Sequence, residues 1–221
     1  MQSQKPLLRA ARTGLAVTLM LVGAQLSCTG AFAHHPTGGQ LPATMLDGVL
    51  SGLGHPVIGV DHLVFIVGIG LLAAVTGFGP LLPVLFVAAM GGGLAMHMAG
   101  VNLPGAELAV ATSAALIGLA VARPRTAHRN WLEGSMFALA GAFHGYALAE
   151  SIIGAETTPL AAYIAGLVIC QATIALAAYL AARGRVAMPD APLVAVPVRV
   201  AGLTIFAVGA LFAARLTGFA A

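Results

Sequence analysis

Lysine occurs once in this 221-residue chain, tryptophan once and cysteine twice, and charged residues make up only 8% of it. A soluble domain carries about 25% charged residues, so this chain cannot cover a globule of its size with polar surface. The formal net charge of +3 would by itself admit a nucleic-acid binder. A single lysine, with no basic stripe and no interleaved aromatics, excludes that class. No G-x-x-x-x-G-K-[ST] phosphate loop is present, so no nucleotide is expected as fuel or partner. The cysteines, Cys28 and Cys170, lie far apart in apolar stretches and offer no disulfide framework.

What the chain has instead is apolar length, with 59% hydrophobic residues and 28 glycines. Lys5, Arg9 and Arg12 form a basic start, Leu15 to Leu26 an apolar core, and Ala31-Phe32-Ala33 an A-x-A cleavage site. Residues 1–33 therefore read as a cleavable signal peptide, with His34 the first mature residue. Those three cations account for the whole net charge, since the remaining seven arginines balance seven carboxylates.

Beyond residue 40, apolar runs recur that are long enough to cross about 30 Å of hydrocarbon. Six are expected, at 55–75, 81–99, 105–122, 130–150, 159–182 and 197–217, preceded by a periplasmic segment at 34–54 that ends in a short interfacial helix. Breakers mark the joints, among them Gly77-Phe78-Gly79-Pro80, Asn102-Leu103-Pro104 and Thr157-Thr158-Pro159. The expected architecture is an all-α polytopic membrane protein whose six-helix transmembrane domain occupies 55–221. A mature N-terminus outside the cell puts Arg123, Arg125, Arg129, Arg183, Arg185 and Arg199 in cytoplasmic loops, as the positive-inside rule requires.

Ionisable groups inside spans are costly and mark functional paths. Under this topology they gather toward the outer face: His55, Asp61 and His62 in the first span, His97 in the second, His144 and Glu150 in the fourth. The densest signal is His55-Pro56-Val57-Ile58-Gly59-Val60-Asp61-His62. On a straight helix the two histidines share a face but stand about 10.5 Å apart, long for one ion. Either Pro56 and Gly59 loosen the turn between them, or the histidines serve successive stations. Asp61 either ligates or orients a neighbouring imidazole. Imidazole with carboxylate suits borderline divalent ions such as nickel, cobalt or zinc.

His55 to His62 resembles the H-x5-D-H motif of the HupE/UreJ family of nickel/cobalt secondary transporters. Phe143-His144-Gly145-Tyr146-Ala147 with Glu150 is similar to that family's second motif, F-H-G-x-A followed by a glutamate. Leu148 stands where many members carry a second histidine, and Ala149 where glycine is common. The resemblance implies a permease of the bacterial inner membrane that imports nickel and/or cobalt as substrate and carries no resident cofactor. It also implies that His55, Asp61, His62, His144 and Glu150 serve the metal.

The other candidates are less marked. His97 is either a ligand or an interhelical hydrogen-bonding group. Glu107 begins an expected helix, where an acidic side chain is also favoured electrostatically, and Glu156 reads as a loop residue drawing cations to the mouth. His34 and His35 would offer an amine and imidazoles for chelation if cleavage follows Ala33. The competing reading is an intramembrane zinc hydrolase built on the same His and Asp residues, although the H-E-x-x-H helix motif is absent. Because protons compete with metal at imidazole and carboxylate, uptake of labelled metal should fall between neutral and mildly acidic external medium. A flat profile would count against histidine on the path.

Overall fold

Gly59 breaks the apolar stretch that opens the described part of the chain. The computed structural model describes residues 40–123, 130–186 and 195–218. The expected signal peptide, His34, His35, Arg125 and Arg129 lie outside them. Among the described residues there are seven α-helices and no strand: α1 (Met45–Ile58), α2 (Val60–Val75), α3 (Leu81–Met98), α4 (Ala106–Ala122), α5 (Trp131–Ala149), α6 (Thr157–Val186) and α7 (Ala195–Leu216). A one-turn 3-10 helix, Glu150–Ile152, follows α5.

The start of α1 is fixed by a capping box. The Thr44 hydroxyl accepts from the Asp47 backbone N–H at 3.1 Å, and the Asp47 carboxylate accepts from the Thr44 backbone N–H at 3.0 Å. Pro56 sits in the last turn, Gly59 turns extended (φ −72°, ψ 94°), and α2 leaves at 79° to α1. A break of this kind strips the first N–H groups of the new helix of their backbone partners. Asp61 answers one of them, its Oδ1 accepting from the His62 backbone N–H at 2.9 Å. The single straight span expected from residue 55 is thus two helices, with His55 on one side of the bend and His62 on the other.

Glycine contacts give the directions of the helices. Gly48 and Gly52 of α1 lie against Pro159 and Tyr163 of α6, and Gly70 of α2 against Ala175 further along α6, so both chains advance together. Gly141 and Gly145 of α5 lie on Phe86 and Met90 of α3, a parallel pair. Gly118 and Gly209 of α4 and α7 meet residues 202–206 and 114–115 respectively, an antiparallel pair. Helices therefore alternate in direction, α2, α4 and α6 one way and α3, α5 and α7 the other. Central α2 packs on α6, α4, α7 and α3, and Phe65, Ile66, Ile69 and Leu72 are fully buried along it.

The outward faces remain apolar. Val84 on α3, Leu116 on α4, Leu139 on α5, Ile169 on α6 and Leu203 on α7 are all exposed, the pattern of helices solvated by lipid. By length and composition three helices can cross a membrane: Leu81–Met98, Thr157–Gly184 and Val196–Leu216. The bent α1–α2 pair makes four if counted as one broken span. Helix α4 is apolar but has only 17 residues, about 25 Å of rise.

Close approach without side chains holds α3 to α5. A Cβ on Gly93 would fall on the Ala142 carbonyl oxygen, and one on Gly145 on the Met90 carbonyl oxygen. Gly91 and Gly92 beside it meet nothing, so of the glycine triplet only the third serves packing. Gly93→Val or Gly145→Val should force the pair apart at a cost of about 1–3 kcal/mol or more. Gly92→Ala should be neutral or slightly stabilising. Thermal denaturation of the detergent-solubilised protein, followed by loss of monodispersity, separates these outcomes.

Candidate metal-translocation site

The break at Gly59 and the glycine seam between α3 and α5 together bring the two motif histidines into contact. His62, in the first turn of α2, and His144, near the end of α5, are 82 positions apart in sequence. Their Nδ1 atoms are 3.0 Å apart, and both side chains are buried. A Cβ at residue 59 would press on the His62 ring and on the His55 carbonyl, so glycine there leaves room for the ring to lie across the bend. Gly145, the next residue after His144, lets α5 sit against α3 at the same level.

His144 is enclosed on every side. Its ring lies over Phe65 with centroids 4.1 Å apart and planes 30° apart, and Phe86 stands edge-on at 6.2 Å. Its second nitrogen, Nε2, is 3.0 Å from Ser113 Oγ on α4. That hydroxyl also donates to the Val110 carbonyl at 2.9 Å. Buried polar groups in an apolar bundle must find internal partners, and this imidazole has one on each nitrogen.

His55 approaches from the other side of the bend, its ring centroid 6.1 Å from that of His62. Its Nδ1 is held by two hydroxyls, Ser151 Oγ at 3.1 Å and Tyr163 Oη at 3.2 Å. Both hydroxyls also donate to the Leu148 carbonyl, at 3.0 and 2.9 Å. The three imidazoles thus form a row, His55–His62–His144, across α1, α2 and α5. This settles the geometry that the sequence leaves open: the bend replaces a separation along one helix by ring-to-ring proximity.

The remaining expected residues are dispersed. Asp61 is partly buried next to His62 and caps α2. Glu150 begins the 3-10 turn after α5 and is exposed, as are Glu107 in the first turn of α4 and Glu156 just before α6. All lie at the end of the bundle where α2, α4 and α6 begin. His97 is not in the row. Its Nδ1 bonds the Tyr146 carbonyl at 2.8 Å and its ring stacks on Tyr146 at 4.1 Å, the interhelical hydrogen-bonding role. With Tyr146, Asn102 and Ile153 it lines an open cavity of about 360 Å³ at that end. Among the described residues, no three His, Cys, Asp or Glu side chains converge in a geometry ready to hold a metal ion.

The opposite end carries the described arginines Arg123, Arg183 and Arg199. Arg123 pairs with Glu133 at 3.4 Å, and Arg199 Nε donates to the Ala122 carbonyl at 3.2 Å, closing the end of α4. Arg215, at the end of α7, lies with the carboxylates instead. Ser113, Ser151 and Tyr163 are the site residues that motif reasoning passes over. Their one signal in the sequence is a hydroxyl placed inside an apolar run, and hydroxyls between membrane helices are common.

The family described as HupE / UreJ protein matches residues 16–212. Protein HupE of Rhizobium leguminosarum bv. viciae is 40% identical over 78 residues, 34% of this chain and 41% of that protein. The match thus spans less than half the length of that relative. No solved structure matches the chain. With the family covering nearly all of the described helices and both histidine motifs inside it, the chain belongs to the HupE/UreJ family.

Proposed function

We propose that the protein is a secondary permease that imports nickel and/or cobalt ion through the row of histidines and its flanking carboxylates. The observation that carries this reading is the contact of His62 with His144, two motif imidazoles packed together in an otherwise apolar bundle. Imidazoles buried in such surroundings cost stability and are kept for function. In this reading Glu107, Glu150 and Glu156 draw cations to the mouth, and Asp61, His62 and His55 receive them. His144 belongs to the same path.

Six crossings with a periplasmic mature N-terminus complete the proposal. Its support is the alternation of helix directions from α2 to α7 and the gathering of Arg123, Arg183 and Arg199 at one end and of Asp61, Glu107, Glu150 and Glu156 at the other; α1 is then the interfacial helix. The signal peptide ending at Ala33 belongs to the same topology. An inside-negative potential would then drive a divalent ion inward with about 4.6 kcal/mol per 100 mV. No nucleotide is needed, and none is provided for in the sequence.

The test is uptake of radiolabelled nickel and cobalt into cells lacking their own importer, comparing the native chain with Asp61→Asn and His62→Ala. Asparagine keeps an oxygen for the His62 N–H and removes only the charge, so its effect reports on the cation and not on the cap. Both changes should lower uptake roughly tenfold or more at limiting metal, with membrane levels unchanged. Uptake indifferent to both would overturn the assignment. Accumulation in sealed vesicles without consumption of any substrate separates a permease from a zinc hydrolase.

A further inference from the structure

Most buried hydroxyls of the described residues are bonded. Thr76 and Thr204 donate to the Leu72 and Val200 carbonyls of their own helices, and Ser113, Ser151 and Tyr163 donate to those of Val110 and Leu148. Among the described residues, the buried side-chain polar atoms without a partner are the hydroxyl of Ser51 and both amide atoms of Gln171. A serine hydroxyl can rotate onto a carbonyl of its own helix one turn back, an outlet shared by Thr, Asn and Asp. Glutamine is not among the side chains that find such local partners, and Gln171 is completely buried. An amide held dry and unbonded is destabilising, so the residue calls for an explanation.

Its place in the bundle supplies one. Tyr163, Leu167, Gln171 and Ala175 succeed one another at intervals of four along the buried face of α6. Tyr163 is at the level of the histidine row, its hydroxyl 3.2 Å from His55 Nδ1. Ala175 meets α2 at Gly70, about two turns beyond His62 toward the arginine end. Because α2 and α6 advance together, Gln171 stands one turn past His62, about 6 Å further in. The surroundings on either side are apolar: Leu167 packs with Met90 and Leu148, and Ala175 with the core along α2.

We propose that Gln171 is the station next to the histidine row on its inward side, where the side-chain carbonyl takes the nickel or cobalt ion after His62 and His144. The inference rests on the transport reading given above and extends its path by one turn. Imidazole suits borderline divalent ions, and conduction requires that the ion pass to a site weak enough to release it. A neutral amide oxygen is such a site. It does not titrate, so release from it needs no proton. Beyond it Gly70 lies directly on the Ala175 carbonyl, so α2 and α6 are closed on the inward side of the amide.

The test separates this role from packing by reading rate, affinity and stability together. Cobalt uptake into cells lacking their own importer is followed over a range of concentrations for the native chain, Gln171→Leu and Gln171→Glu at equal membrane levels. Gln171→Leu should lower Vmax about tenfold with KM unchanged or reduced, because entry through the histidines is intact while exit is slowed. Gln171→Glu keeps an oxygen at the same reach and should recover most of the Vmax. The purified Gln171→Leu protein should melt at the native temperature or above it, since an apolar side chain of similar size replaces an amide with no bond to lose.

Gln171→Met, which is unbranched, repeats both comparisons where the branch of leucine disturbs packing. Melting of both apolar variants below the native temperature would overturn the inference by showing that the amide is bonded within the chain. Uptake that requires His62 but is indifferent to Gln171→Leu overturns it alone. A native chain that carries neither cation overturns the transport reading as well.

Discussion

The contact between His62 and His144 constrains the rest of the molecule, because two imidazoles can be buried in an apolar bundle only where each nitrogen finds a partner. Three helices besides the two that carry the rings surround the pair. Helix α4 brings Ser113, α3 supplies the seam that seats α5, and α1 returns His55 to the same level after the bend. Glycine makes the geometry feasible at two places, at residue 59, where a side chain would strike the His62 ring, and at residue 145, where one would strike the backbone of α3. A larger residue at 145 would force α3 and α5 apart, and one at 59 would press on the His62 ring.

The bend also gives Asp61 two functions that reinforce one another. As the first acidic residue of α2 it accepts from the N–H of His62. The same carboxylate keeps a negative charge beside the ring that faces the cation in the proposed path. In the proposed path, structural capping and cation attraction would use one group. Among the described residues charge follows the same logic on a larger scale, with Asp61, Glu107, Glu150 and Glu156 at the end where α2, α4 and α6 begin and Arg123, Arg183 and Arg199, with Glu133, at the other.

Much of this was legible in the sequence. The scarcity of charge and the recurrence of apolar runs pointed to a helical membrane protein, and the His55–His62 cluster stood out from its spacing, the second motif through its resemblance to a family pattern. The row of three imidazoles was not. On a straight helix His55 and His62 stand too far apart, and spacing offers no means of choosing between a loosened turn and two stations. His97 looked equivalent to the others by depth, yet it bonds the Tyr146 carbonyl and stays outside the row. Of Gly91-Gly92-Gly93 only Gly93 meets a neighbour, which the run of identical residues does not reveal.

By itself the sequence determined what depends on composition and on local pattern: helices throughout, their joints at Pro and Gly, the arginine asymmetry, and the residue types fit for a divalent cation. Tertiary structure alone decided which polar atoms share a proton. Ser113, Ser151 and Tyr163 are single hydroxyls in apolar runs, indistinguishable in sequence from ordinary contacts between helices. They acquire meaning only where packing sets them within hydrogen-bond distance of a particular ring nitrogen. That distance depends on the approach of residues between 31 and 108 positions apart, which no local spacing encodes.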